Sequence, residues 1–195
     1  MMSHAIESVA CQTSQLEDKV LYAFVYCDFR DPDTQNITNI LGAILSQMCT
    51  QLQYFPKELV AAYQSSTERG NGDCPAIEAI SEAIQILSIR RRTYIFIDGI
   101  DEAGNYRSLA KHLVFLSGSA SCVNILATSR NDVAIQRVFA GGVRRVCLEH
   151  HTVEIDEDIK QYILSRLNTD EDLTWLSPSI QTLVTNSLLS KSKGT

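Results

Sequence analysis

"RRTYIFIDGIDEAG", Arg91 to Gly104, sets an apolar, β-favouring run directly against three carboxylates, Asp98, Asp101 and Glu102. The run Thr93–Ile97 does not alternate polar with apolar, the pattern of a strand covered on both faces rather than one lying on a solvated sheet. If that strand is parallel to its neighbours, Asp98 falls at its carboxyl end, where open α/β sheets hold their ligands. Whether the rest of the chain builds such a sheet decides what the carboxylates are for.

Three further stretches read as strands: "KVLYAFVYCD" (19–28), "CVNILATS" (122–129) and "VRRVCLE" (143–149). The first two are also nearly continuous in apolar residues, so both are expected to be buried on two faces. Helical patterns lie between them. Ile37, Ile40, Leu41, Ile44, Leu45, Met48 and Leu52 form one stripe at 3.6 spacing; Ile77, Ile80, Ile84 and Leu87 form a second behind Pro75; Leu109, Leu113 and Leu116 form a third. Strands that alternate with helices imply crossover connections, hence an α/β fold with a parallel sheet flanked by helices. "SSTERGNGDCP" (65–75) is expected to be a surface connection between helices. After the fourth strand, "EIDEDIKQYILSRL" gathers acids at the positive end of a helix dipole, where they start a helix or, less simply, bind a ligand.

Composition excludes several classes. The 195 residues suffice for one domain with a sizeable core. Their longest apolar run, Val20–Cys27, is far short of the ~20 residues of a membrane helix, so no membrane association is expected. "MMSHAIESVACQ" lacks the basic and apolar regions of a secretory signal, which makes the cytoplasm the expected location. A net charge of −6 argues against nucleic acid, for which a basic face is needed. The six cysteines form no CxxC pair and mostly sit in apolar runs, so they are expected to be reduced and buried. His150 and His151, adjacent in the chain, would point to opposite sides of an extended segment and are not expected to share a metal.

At a sheet edge of this kind Asp98 can hold the water shell of Mg²⁺, a hard cation that accepts only one or two carboxylates, while Asp101 and Glu102 lie near enough to orient or activate a water. The plainer alternative is that "DGIDEAGN" is a polar turn, since Asp, Gly and Asn form turns for local reasons. The strand "NILATSRND" would carry Thr128, Ser129 and Arg130 to the same edge, where an arginine can read a terminal phosphate; alone, Arg130 is as simply a solvated loop residue.

These residues resemble a family. "YIFIDGIDEA" looks like the Walker B segment of the NACHT-type (STAND class) signalling P-loop NTPases, and "NILATSR" resembles their sensor 1 strand. "AFVYCDFRDPDTQNITNILGAILSQM" is similar to the second strand and following helix of the nephrocystin-like N-terminal domain group, and "VCLEHHTVEIDEDIKQYILSRL" resembles that group's segment after the NTPase strands. The resemblance spans residues 3–194. It implies a partial NTPase domain over 1–150 and the start of a helical region over 151–195. It implies Asp98 as the metal ligand, Asp101 and Glu102 as catalytic carboxylates, Thr128 and Arg130 as nucleotide contacts, and Mg²⁺ with ATP or GTP as cofactors of the intact family domain.

One departure is decisive. None of the nine glycines begins a Gly-x-x-x-x-Gly-Lys-Ser/Thr, so the Walker A loop that cradles the phosphates is not in these residues. By the resemblance, that loop follows a first strand lying between the third and fourth strands read above, and "SHAIESVACQ" matches the remainder of the helix after it. The chain is therefore expected to be a fragment lacking its first strand, with a gap in its sheet, inclined to self-associate and unable to bind nucleotide well. Its partners would be the upstream and downstream domains of a larger receptor-like protein. The alternative is a non-catalytic interaction module with a degenerate NTPase fold; a metabolic P-loop kinase is a third, weaker reading.

Overall fold

Three parallel strands carry the fold, β1 (Val20–Tyr26), β2 (Arg92–Asp98) and β3 (Val123–Ala127), in the order β1-β2-β3. In register, Tyr26 pairs with Asp98 and Ile97 with Ala127, so the carboxyl ends of all three lie at one edge of the sheet. The computed structural model describes residues 2–13, 20–53, 76–89, 91–118, 122–139 and 143–192, together with 55, 57, 60, 61 and 64. The expected surface connection 65–75, Cys74 and Pro75 included, lies outside the described residues.

The helices are α1 (Met2–Thr13), α2 (Pro32–Gln35), α3 (Ile37–Leu52), α4 (Ile77–Ser88), α5 (Tyr106–Leu116) and α6 (Val133–Val138). Several start where a side chain can satisfy an orphan amide: Asp31, Asn36, Asn105 and Asp132 each accept from a backbone N–H in the first turn that follows. The connection from β1 to β2 runs through α3 and α4, and that from β2 to β3 through α5, as parallel strands require. The result is the expected α/β architecture, a parallel sheet flanked by helices.

Strand periodicity divides the core. The odd-numbered side chains Leu21, Ala23, Val25, Ile95, Ile97 and Val123 pack with the buried stripes of α3, α4 and α5, among them Leu41, Ile44, Met48, Ile84, Leu87, Leu109 and Leu113. Thr93, fully enclosed, is satisfied by donating to the Ser88 hydroxyl at 3.1 Å, and Ser88 donates to Ile84 O at 2.7 Å. Ile95 lies at the centre of β2 with no exposed surface. Ile95→Ala should therefore cost about 2–5 kcal/mol by removing packed methyl groups and leaving a cavity. In a chain of this size that corresponds to a fall in Tm of roughly 5–15 °C, readable by thermal circular dichroism.

The opposite face is not closed in the same way, which corrects the expectation that β1 and β3 are buried on both sides. There α1 covers Tyr22, Tyr94 and Phe96 with Met2 and Ile6, but Phe24, Tyr26 and Leu126 remain 37%, 44% and 47% exposed. Only β2, flanked by a strand on each side, is buried on both faces through its middle. An apolar run states what a strand can tolerate; the helices decide what is covered.

Two further expectations are corrected. "VRRVCLE" is not a strand: residues 143–147 have no regular structure and Leu148–His150 form a 3₁₀ turn. Strand structure needs a neighbour's amides and carbonyls, and no described strand pairs with this segment. It belongs to a second compact unit, Val143–Thr195, whose regular elements beyond that turn are helical: α7 (Thr152–Thr169) and α8 (Pro178–Ser192), in contact with one another. The first unit is Met1–Gly142. The five described cysteines form no disulfide with one another; Cys11 and Cys122 are exposed and Cys147 is half-buried, so the expected burial holds only for Cys27 and Cys49. Cys122 precedes β3, at the outer strand of the sheet, where apolar sequence is not matched by cover.

Candidate functional site

β2 ends at Asp98 and the chain turns at once. Gly99 adopts φ 72°, the left-handed region, and a Cβ there would come within 3.3 Å of Cys27 O, so glycine is required both by conformation and by the approach of the neighbouring strand. The 3₁₀ turn Ile100–Glu102 follows, pinned by the buried Ile100.

Thr128, immediately after β3, fastens this turn to the sheet. Its hydroxyl donates to Asp98 Oδ1 and accepts from Gly99 N at 2.9 Å. Its amide donates to Ile97 O at 3.0 Å, and its carbonyl accepts from Ile100 N at 2.9 Å. One Asp98 oxygen is thereby occupied; Oδ2 carries no hydrogen bond among the described residues.

Arg130 and Asp101 are bound to each other. The Arg130 amide donates to Asp101 Oδ1 at 3.0 Å and its Nε to Oδ2 at 2.5 Å. Burial alone would push the Asp101 carboxyl up, but the hydrogen bonds from Arg130 outweigh it and hold it below the usual carboxylate range. The arginine side chain is 78% exposed and that of Asp101 10%, so the carboxylate is a fixed anchor and the guanidinium the outward group. Its two Nη groups have no partner among the described residues.

Glu102 lies beside this pair. Its carboxylate accepts from Phe29 N at 3.4 Å, a long contact, while its carbonyl accepts from Gln35 Nε2 at 2.7 Å. The same Gln35 nitrogen donates to Asp28 O at 2.9 Å, so one amide ties the ends of two adjacent strands together. Asp28 itself is partly exposed and grips Arg30 through both oxygens, which lowers its carboxyl to about 2. Cys27 lies at the same edge. Burial, reinforced by the fields of Glu102, Asp98 and Asp101, raises its thiol to about 11, so at neutral pH it is a protonated thiol and a poor nucleophile.

All five residues singled out from the sequence, Asp98, Asp101, Glu102, Thr128 and Arg130, line one open hollow of about 290 Å³ with Cys27. It is at the small end of ligand cavities, large enough for a hydrated cation and a phosphate group but not for an enclosed nucleotide. A wider hollow of about 470 Å³ near the starts of α3 and α5 has no titratable group in its lining. Sequence reading missed Gln35 and Cys27. Neither carries a motif, and the role of Gln35 depends on bringing residues 28, 35 and 102 together.

The molecule is thus an α/β protein with a three-stranded parallel sheet whose carboxyl edge gathers an acidic site and the exposed Arg130. The family model described as Nephrocystin 3, N-terminal, matches residues 1–130, two thirds of the chain. The chain belongs to this family. No curated protein and no solved structure gives a match. No helix among the described residues is long and apolar enough to cross a membrane.

Proposed function

We propose that the chain is a module of a nucleotide-dependent signalling protein of the NACHT type, and that the Asp98 edge is the magnesium and terminal-phosphate side of its nucleotide site. The observation that carries this reading is the convergence, at the ends of two adjacent parallel strands, of Asp98, its partner Thr128 and an arginine held by a carboxylate. A polar turn would need none of the links between residues 98–101 and 128–130.

In this reading Asp98, through its unoccupied oxygen, takes up the water shell of Mg²⁺. The cation would supply charge neutralisation for a polyphosphate. Thr128 fixes the carboxylate's orientation. Asp101, shared with Arg130 on both oxygens, positions the guanidinium for a γ-phosphate, which leaves Glu102 as the carboxylate that orients or deprotonates a water. The 195 residues contain no Walker A sequence, and by themselves they should not bind ATP or GTP well. The partners are the neighbouring domains of a receptor-like protein. A cytoplasmic location fits cysteines that form no disulfide with one another among the described residues.

The test is a chimera that places a Gly-x-x-x-x-Gly-Lys-Thr strand, loop and helix ahead of residue 1. It should gain Mg·ATP or Mg·GTP binding by calorimetry, and Arg130→Ala should weaken that binding. A folded chimera that binds neither nucleotide would overturn the assignment.

A second reading, a non-catalytic interaction module, draws support from the uncovered aromatic face around Phe24 and Tyr26. It expects dye binding and concentration-dependent association on size exclusion, both reduced in Phe24→Ser/Tyr26→Ser. A monodisperse monomer without dye binding would remove it.

A further inference from the structure

β1 is an outer strand of the sheet, so one of its two hydrogen-bonding sides has no strand partner among the described residues. In a parallel pair each strand turns alternate peptide groups toward its neighbour, and Cys27 N, bonded to Asp98 O, shows that the odd-numbered amides of β1 face β2. The even-numbered groups of β1 therefore face away from the sheet. At Tyr22 and Phe24 those groups are bonded to side chains. Gln51 Oε1 accepts from Tyr22 N at 3.1 Å and Gln51 Nε2 donates to Tyr22 O at 2.6 Å. Gln47 Oε1 accepts from Phe24 N at 3.1 Å and Gln47 Nε2 donates to Phe24 O at 2.8 Å.

Two carboxamides thus make the four hydrogen bonds that a pairing strand would make. The spacing explains the fit. Four residues of α3 rise about 6.0 Å and two residues of an extended strand about 6.6 Å, so glutamines at i and i+4 on a helix running beside the strand match strand positions j and j−2. Glutamine is the side chain that suits this. It donates and accepts as a peptide group does, which glutamate and lysine cannot do, and it is longer than asparagine by the methylene needed to reach from a helix. Gln51 Nε2 also donates to Gln47 O at 3.0 Å, which steadies the pair.

We propose that Gln47 and Gln51 close the β1 edge against strand addition and so keep a second copy of this chain from pairing there. An unpaired edge is a template for such pairing. The β1 edge needs closing more than most, because its neighbouring face exposes Phe24 and Tyr26, which would add apolar contact to any strand that docked. This inference is independent of the nucleotide reading.

The test compares the full chain with Gln47→Met/Gln51→Met, which keeps side-chain length and helix propensity but removes the carboxamides. At low protein concentration the Tyr22 and Phe24 amides, followed by hydrogen exchange, should exchange about five- to tenfold faster in the variant, the factor for loss of one ordinary hydrogen bond per amide. At high concentration the variant should form larger species on size exclusion in which the same two amides regain protection, while the parent does not protect them further. Adding Phe24→Pro to the variant, which removes an edge donor without touching the bonds to β2, should reverse that association. Should the double variant fold poorly, Gln51→Met alone serves in its place: it frees both Tyr22 N and Tyr22 O and should still increase association. Exchange at Tyr22 and Phe24 that is the same in parent and variant, or a variant with those amides open and its size unchanged at every concentration, would overturn the proposal.

Discussion

Titration of the 195-residue chain with Mg·ATP or Mg·GTP should give no saturable heat in the micromolar range. Phosphate binding by this class of site rests on backbone amides and a lysine of a Gly-x-x-x-x-Gly-Lys-Ser/Thr loop, and each charge-assisted hydrogen bond contributes about 1.5–3 kcal/mol. Without two or three of them the affinity falls by upward of ~4 kcal/mol, a factor near a thousand. Asp98 and Arg130 do not replace them. The carboxylate acts on phosphate only through a cation, and the arginine presents one fork from a side chain 78% exposed, where screening weakens it. The hollow of about 290 Å³ adds little enclosing surface. A dissociation constant in the low micromolar range would mean that this edge binds polyphosphate on its own, and the role assigned to the five carboxyl-edge side chains would have to be enlarged.

The second large effect concerns turnover in the chimera that carries a Gly-x-x-x-x-Gly-Lys-Thr segment. Asp98→Asn should weaken Mg²⁺-dependent binding and hydrolysis together, because the amide retains the Thr128 hydrogen bond but not the charge that holds the cation's water shell. Glu102→Gln should leave nucleotide affinity within a few-fold and lower kcat by roughly a hundredfold or more, the usual range for removing a general base. Asp101→Asn, by contrast, should act on binding, since Asp101 holds Arg130 through both of its oxygens. Steady-state kinetics with parallel calorimetry separate the three. If neither the Asp98 nor the Glu102 substitution alters turnover in a chimera that hydrolyses ATP, the carboxylates are a turn and nothing more.

The structural setting limits how such a site could work without help. Thr128 links the ends of β2 and β3, and Gln35 links the residues after β1 to the Glu102 turn, so the edge is held on both sides before any ligand arrives. A preorganised edge lowers the cost of ordering these groups on binding. It also means that substitutions at Thr128 or Gln35 would act through geometry: neither is the source of the charge at the site, yet each fixes where that charge sits.

Much of the fold could be read locally. The run Thr93–Ile97 makes a buried strand because bulky and β-branched side chains fit a pleated, covered surface, and the stripes of α3, α4 and α5 follow from 3.6-residue periodicity alone. Alternation of these patterns suffices for a parallel sheet, and strand ends suffice to bring Asp98, Thr128 and Arg130 to one edge. What failed were the inferences about which particular segment is paired or covered by a neighbour. "VRRVCLE" has the propensity of a strand, but a strand exists only with a hydrogen-bonded partner, and propensity does not supply one. Apolar sequence at Phe24, Tyr26 and Leu126 implied two covered faces, whereas cover depends on where α1 happens to lie. The pairing of Asp101 with Arg130, the bridge through Gln35 and the two glutamines along β1 join residues 23 to 67 positions apart, and such contacts are set by how helices are laid against the sheet. Sequence determined the elements and the chemistry at their ends, because both arise from residues a few positions apart; tertiary structure alone decided which polar groups meet and which side chains line the β1 edge, because those depend on distances that no local pattern encodes.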